Sequence, residues 1–407
     1  MDKLERFFLS SYLKSPKRNL LRFSFVFMTL GILLSVAILS AGLNLFEGYE
    51  RSLREVLLGS FPHLTIQNAN YEPISHTEVN NMVAKLKQLP QVAAITPVIS
   101  YSVMAVGDSK VRGASLSAYD FSGTYPFPYT KYIAQGSKKL TNGEVIVGKY
   151  LAKELGKNLG DPLKLVYPQM NKISALGIIP SEQNYIIAGI YSSGLYENDR
   201  SLVITTLNNA EELLDIPPGF DKLELRLQPR DVDAAAELGM HIQQLLGSDY
   251  AVYPWTQFSA GLLHLVAMEK WLIFITFCFL VLIAGINVIS AVSTIILDKK
   301  NQIAVLKTLG ASSGSIKRLL SYQVGLVGLL AIISGQCLGA LLSFFVEKQG
   351  FYKLKGDVYF IDSLSAAVSP FNLLMVFLVA SALVALCIHY PLKQIDKLQI
   401  IELLRNS

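Results

Sequence analysis

The stretch FSFVFMTLGILLSVAILSAGLNL, residues 23–45, holds no ionisable side chain over its whole length. A bilayer core about 30 Å thick takes about 20 helical residues to cross. One charge near its centre costs roughly 2.5–3.5 kcal/mol, so an uncharged run this long reads as a membrane span. A cleaved leader fits less well. Its apolar part usually runs for about 7–15 residues, and here the chain passes into Glu47, Gly48, Tyr49, Glu50 and Arg51 as if a helix were emerging from the bilayer. Residues 271–297, 319–346 and 371–390 repeat the pattern, again without Asp, Glu, Lys or Arg. The composition agrees: 51% of the chain is hydrophobic and 16% charged, against about 25% charged in soluble domains.

The basic residues orient these spans. Lys3, Arg6, Lys14, Lys17, Arg18 and Arg22 precede the first. Lys299, Lys300, Lys307, Lys317 and Arg318 face only Asp298 in the loop 298–318, and Lys393, Lys397 and Arg405 follow the last span. In 347–370 the charges balance. Cytoplasmic loops carry the excess of Lys and Arg, so 1–22, 298–318 and 391–407 are expected in the cytoplasm, with 46–265 and 347–370 outside. The expected architecture is a multi-pass α-helical membrane protein of four transmembrane helices, with a large α+β extracytoplasmic domain between helices 1 and 2. The net charge of +5 is modest and gives no ground for nucleic-acid binding.

The 46–265 region is long enough for one or two subdomains. Val79, Met82, Val83, Leu86 and Leu89 recur at helical spacing up to Pro90. Strands are expected over 98–106 and back through Val111, and over 145–147, 185–191 and 202–206. Leu223, Leu225 and Leu227 alternate with Glu224 and Arg226, which reads as a half-buried strand. Two stretches read as loops: 167–181, with Pro168, Gly177 and Pro180, and 119–132, where Phe121, Tyr125, Phe127, Tyr129 and Tyr132 surround Pro126 and Pro128. These aromatics read first as a loop packed on the domain, and otherwise as a contact surface for lipid or protein. Cys278, Cys337 and Cys387 all fall in spans and read as small apolar residues.

Catalytic chemistry finds little support. Gly143-Glu144-Val145-Ile146-Val147-Gly148-Lys149 matches the spacing of a phosphate-binding loop, but Tyr150 stands where Ser or Thr must reach magnesium, and Val145–Val147 reads as strand. His63, His76, His241, His264 and His389 show no metal-ligand spacing. Asn287 and Gln336 within spans read as ties between helices, and Gly335 with Gly339 as a close-packing G-x-x-x-G. The expectation is a non-catalytic chain with no metal and no bound cofactor.

The loop D-K-K-N-Q-I-A-V-L-K-T-L-G-A-S from Asp298 is more informative. Ile303, Leu306 and Leu309 fall on one face of a short helix, Gly310 supplies a stop, and Ser312 or Ser313 can cap the next helix. Such a helix either floats at the interface or docks a cytoplasmic partner.

Q-I-A-V-L-K-T-L-G-A-S at 302–312 resembles the cytoplasmic loop of type VII ABC-transporter permeases, the MacB and FtsX group. Within that group the chain is most similar to the lipoprotein-releasing permeases of the LolC/LolE family. The resemblance runs through Y-L-K-S-P-K-R (12–18), G-Y-E (48–50), L-G-S-F-P-H-L (58–64), G-E-V-I-V-G-K-Y-L-A (143–152), S-G-L-Y-E-N-D (193–199), M-E-K-W (268–271) and V-Y-F-I-D-S-L (358–364). It implies a permease in the bacterial inner membrane, with both termini cytoplasmic, that hands lipoproteins to a periplasmic carrier. The implied partners are a separate cytoplasmic ABC ATPase (LolD-like) that holds ATP and magnesium, a second permease subunit, a LolA-like carrier, lipoprotein substrates and membrane lipid. The ATPase would meet a coupling helix carrying Gln302, Ile303, Leu306, Lys307, Leu309 and Gly310. The carrier would meet a hook at Pro168, Gln169, Met170, Asn171, Lys172, Ile173 and Gly177. Lipoproteins would pass sideways between the first two spans, where Gly31, Ser35, Ala284 and Asn287 are candidate gate residues. The family's C-terminal pattern survives as Pro391, Leu398, Glu402, Leu404 and Arg405, interrupted by Ile395 and Gln399. Competing readings are a related permease for another substrate or for mechanotransmission, and a membrane sensor or scaffold.

Overall fold

The computed structural model describes residues 19–168, 173–174, 177–178, 180–258, 260–349, 366–393 and 395. In chain order, helix α1 spans Asn19–Ser60 and stops where Pro62 follows, because a proline disfavours helical geometry at the residue before it. Then come β1 (Leu64–Asn68), α2 (His76–Leu86), β2 (Val92–Val106), β3 (Val111–Tyr119), β4 (Ile133–Gly136), β5 (Glu144–Gly148), α3 (Lys149–Leu155) and β6 (Pro162–Tyr167). The short β7 (Ile173–Ser174) and β8 (Gly177–Ile178) precede β9 (Ser181–Tyr191), α4 (Tyr196–Ser201), β10 (Leu202–Thr206), α5 (Leu207–Leu214) and β11 (Lys222–Leu227). Next are α6 (Ala235–Leu246), β12 (Tyr250–Pro254) and α7 (Trp255–Phe258). The chain ends in α8 (Ala260–Asp298), α9 (Lys300–Thr308), α10 (Ser313–Gln349) and α11 (Pro370–Leu392). The described residues fall into two compact units, one of 52–264 and the other of the residues before and after it.

The first unit is α+β. Its centre is β2, whose 15 residues serve two sheets in succession. Over 92–98 it pairs with β11, extending an antiparallel sheet in the order β12-β1-β11-β2. Over 99–106 it pairs with β3, and the pairings β3–β10, β10–β5, β5–β9, β9–β6 and β6–β2 close a six-stranded ring. Closure leaves those strands no free edge. Leu116, Val145, Val147, Leu163, Leu165, Ile187 and Val203 are buried in the core. On the open sheet Leu64 and Ile66 meet Leu223 and Leu225, and α2 brings Val79, Met82, Val83 and Leu86 to the same core. That helix begins with a capping box, the Glu78 N–H donating to Ser75 Oγ while the Ser75 N–H donates to Glu78.

The half-buried reading of β11 needs correction. Leu223, Leu225 and Leu227 are buried, but Glu224 between them is only 5% exposed. Tyr119 and Tyr129 donate to Glu224 Oε2 at 3.3 and 3.0 Å, and Lys222 pairs with Oε1 at 3.2 Å. Burial, with the Glu224 carboxylate nearby, pushes both phenols well above their ordinary range. Arg226 lies 5.0 Å over the Tyr129 ring and donates to the carbonyls of Leu58 and Gly59, which closes the last turn of α1. The aromatic stretch after β3 is therefore a packed lid on the second face of β11. Tyr119 and Tyr129 are buried, with Phe127 edge-on to Tyr119 and Phe121 tilted against Phe127.

His63 joins the same junction. The Leu227 N–H donates to His63 Nδ1 at 2.9 Å, so the ring proton sits on Nε2, 3.3 Å from the Leu58 carbonyl. Burial first, and then Arg226, lower its pKa. The unfolded chain therefore takes up this proton before the folded one. The stability that follows is fully present above the unfolded value of about 6.5 and is lost as pH falls through it toward the lowered folded value. Thermal unfolding of the full chain in detergent should show stability falling from about pH 7 downward, with a shallower fall in His63→Gln. An identical slope in the variant would contradict this.

The second unit is helical. Four of the described helices are long and apolar enough to cross a membrane: α1, α8, α10 and α11. Each contains one of the uncharged runs, and α1, at 42 residues, extends well beyond its run. Helix packing follows the small residues. A Cβ on Gly335 would lie 2.7 Å from the Leu33 carbonyl, and one on Gly339 2.7 Å from that of Ala37, so α10 and α1 touch backbone to backbone. Gln336 Nε2 donates to the Leu373 carbonyl at 2.6 Å and ties α10 to α11. Gly285 of α8 faces Cys387 of α11, and Phe277 of α8 lies over Gly42 of α1. Met28, Ile32, Val36, Leu39, Val288, Ile295, Val324, Val376 and Ala380 fill the space between.

Candidate functional site

Helix α9 is the most distinctive element of the helical unit. It follows a one-residue break at Lys299 and ends in a Schellman turn. The Ala311 N–H donates to the Leu306 carbonyl, the Gly310 N–H to that of Lys307, and Gly310 takes a φ of +92°. Ser312 then caps α10 by accepting from the Ser315 N–H at 3.1 Å.

The helical period decides which face α9 presents. Ile303 and Ala304 are buried, Leu306 is half-buried against the same core, and Lys307 donates to the Ile395 carbonyl at 3.0 Å. Leu309 does not share that face. It follows the last helical residue and stands 78% exposed. The outward surface is Gln302, Val305 and Leu309, with Val305 half exposed. Val305 was not singled out by the sequence pattern; taking Leu309 instead of Leu306 as the anchor would have found it at i−4.

Of the four gate candidates, two on α1 and two on α8, one pair is brought together. A Cβ on Gly31 would lie 3.5 Å from Asn287 Nδ2, so these two residues meet. Ala284 is buried and Ser35 half-buried.

The hook lies between β6 and β9, which pair antiparallel from Pro162–Ile186 to Tyr167–Ser181. Beyond them Ile173 and Ser174 pair with Ile178 and Gly177, two described pairs of antiparallel strand within a stretch read from the sequence as loop. Pro168 ends the first arm. Gln169, Met170, Asn171 and Lys172 lie outside the described residues, as do the tail residues Leu398, Gln399, Glu402, Leu404 and Arg405.

The phosphate-loop spacing at 143–149 is occupied by β5 itself, with Val145, Ile146 and Val147 fully buried and the backbone of Gly148 against Asp199. Among the described residues no three His, Cys, Asp or Glu side chains gather as a metal site.

Residues 25–245 match the MacB-like periplasmic core domain, and residues 274–400 match the FtsX-like permease C-terminal family. The chain belongs to this family of ABC-transporter permeases, whose ATPase is the expected partner, and it is a multi-pass membrane protein. More narrowly, it is similar to the lipoprotein-releasing system transmembrane proteins. It is 26% identical to LolC of Neisseria meningitidis serogroup B over the whole of both chains. It is 28% identical to LolE of Haemophilus influenzae over 97% of each. Among solved structures, the periplasmic region of MacB from Actinobacillus actinomycetemcomitans aligns with 49% of this chain and 91% of that one, at 14% identity and a TM-score of 0.31.

Proposed function

We propose that this chain is the permease subunit of an ATP-driven transporter that lifts lipoproteins out of the bacterial inner membrane and passes them to a periplasmic carrier. The observation that carries the reading is similarity to LolC and LolE proteins over nearly the whole of each chain. The α+β unit lies outside and both termini inside, as the basic residues require. The ATPase, which holds ATP and magnesium, meets α9 through Val305 and Leu309. A second permease subunit completes the membrane part, and the carrier meets the segment between β6 and β9. Lipid-bearing cargo passes between α1 and α8, where Gly31, Ser35, Ala284 and Asn287 offer a small-sided path.

Energetics favour such a division of labour. Each buried methylene holds a lipid anchor by about 0.8 kcal/mol, so three acyl chains resist spontaneous release by tens of kcal/mol. Release requires external energy and a sheltered handover, and this chain supplies the path and not the fuel. Depletion of the protein in its own host, followed by fractionation of the two membranes, tests the reading. Outer-membrane lipoproteins should accumulate in the inner membrane; normal arrival at the outer membrane would contradict it.

A further inference from the structure

Lys270 sits one residue before the apolar run of α8, and Glu47 two residues after that of α1. Lys270 Nζ pairs with Glu47 Oε2 at 3.1 Å and Glu50 Oε2 at 2.8 Å. Asn372 Nδ2, at the start of α11, donates to the same Glu47 oxygen at 3.1 Å. Glu47 and Glu50 are three residues apart on α1 and so share a face, where like charges repel unless a cation stands between them. One ammonium therefore holds two carboxylates and joins α8 to α1 at one end of the seam. All three charged side chains are half-exposed, at 31–46%, so the bond can break without stranding a buried charge.

The fastening lies at the rim and in contact with water, where an ion pair holds only weakly and can open and close.

We propose that Lys270, held between Glu47 and Glu50, is the latch of the α1–α8 seam, and that α1 swings outward when this pair of ion bonds breaks. As a device for lateral passage of lipid it rests on the proposed function, but the latch itself is tested without cargo. The full chain, with Cys278, Cys337 and Cys387 replaced by Ala, carries a reporter pair, Gly42→Cys with Phe277→Cys. The second change removes the ring that covers Gly42. Cross-linking by a short bis-maleimide, which alkylates both thiols, in native membranes reads whether the seam is closed. Lys270→Gln should lower the yield about threefold, the scale that half-exposed ion pairs support, and Lys270→Arg should keep it. The exchanged set Glu47→Lys, Glu50→Lys and Lys270→Glu should restore it. If Lys270→Gln fails to accumulate, Glu47→Gln with Glu50→Gln breaks the same bonds and should give the same loss. Undiminished cross-linking in the neutralised variants overturns the latch. A loosened seam in a chain that releases no lipoprotein on addition of ATP leaves the latch standing and counts against the lipoprotein reading.

Discussion

Leu309→Asp should abolish ATP-driven release while leaving the protein inserted and folded. Leu309 is 78% exposed and its side chain is absent from the core of the helical unit, so the substitution removes no packing there. At the proposed interface it places an unpaired carboxylate where an apolar anchor docks. Loss of a central anchor of this kind costs about 2 kcal/mol or more, roughly a thirtyfold loss of affinity for the ATPase. Val305→Asp should act in the same direction. Leu306→Asp is a poorer probe, because Leu306 packs against the helical core and its loss confuses docking with folding. Co-purification of the ATPase with the variant is the measurement. Undiminished co-purification would return α9 to the role of an interfacial float.

Gly339→Leu should be the most damaging single change in the helical unit. A Cβ there would stand 2.7 Å from both the Ala37 carbonyl and Ser40 Cβ, neither of which is the yielding end of a flexible side chain. Overpacking commonly costs about 1–3 kcal/mol, and here α1 must leave α10 to relieve it. Gly325→Ala in the same helix provides the contrast, since nothing lies within 4 Å of its Cβ position. That change should leave stability unaltered or raise it by up to about 1 kcal/mol through helix propensity. Thermal unfolding of both variants in detergent checks the pair. Equal transitions would mean that α1 and α10 do not pack as described.

Much of this fold was legible in residue order because its constraints are local. The run 23–45 needs only the thickness of a bilayer to be read as a span, and Gly310 with Ser312 marks a stop and a start by backbone chemistry alone. Gly335 and Gly339 announced close packing without naming the partner, which is α1. What escaped depends on residues far apart in the chain. Glu224 looked solvent-facing because Tyr119, at the end of β3, and Tyr129, in the loop after it, which bury it, lie about a hundred residues earlier. Lys270 looked like an ordinary flanking charge because its partners precede it by 220 residues and more. Leu309 was grouped with Ile303 and Leu306 by threefold spacing, but six residues of helix carry it about 120° from Ile303 and bring it beside Val305 at i−4. The closed strand ring is invisible in any single strand; it exists only because β2 is long enough to pair with β11, β3 and β6.

The central claim is that this chain provides the lipid path of a lipoprotein-releasing ABC transporter. Its most direct test is reconstitution of the chain with its co-purifying ATPase and permease partner in liposomes loaded with an acylated outer-membrane lipoprotein. Addition of ATP and soluble carrier should move the lipoprotein into the supernatant as a carrier complex, and omission of either should prevent it. ATP hydrolysis with the lipoprotein still in the bilayer, at carrier concentrations that saturate release by an established lipoprotein transporter, would contradict the account.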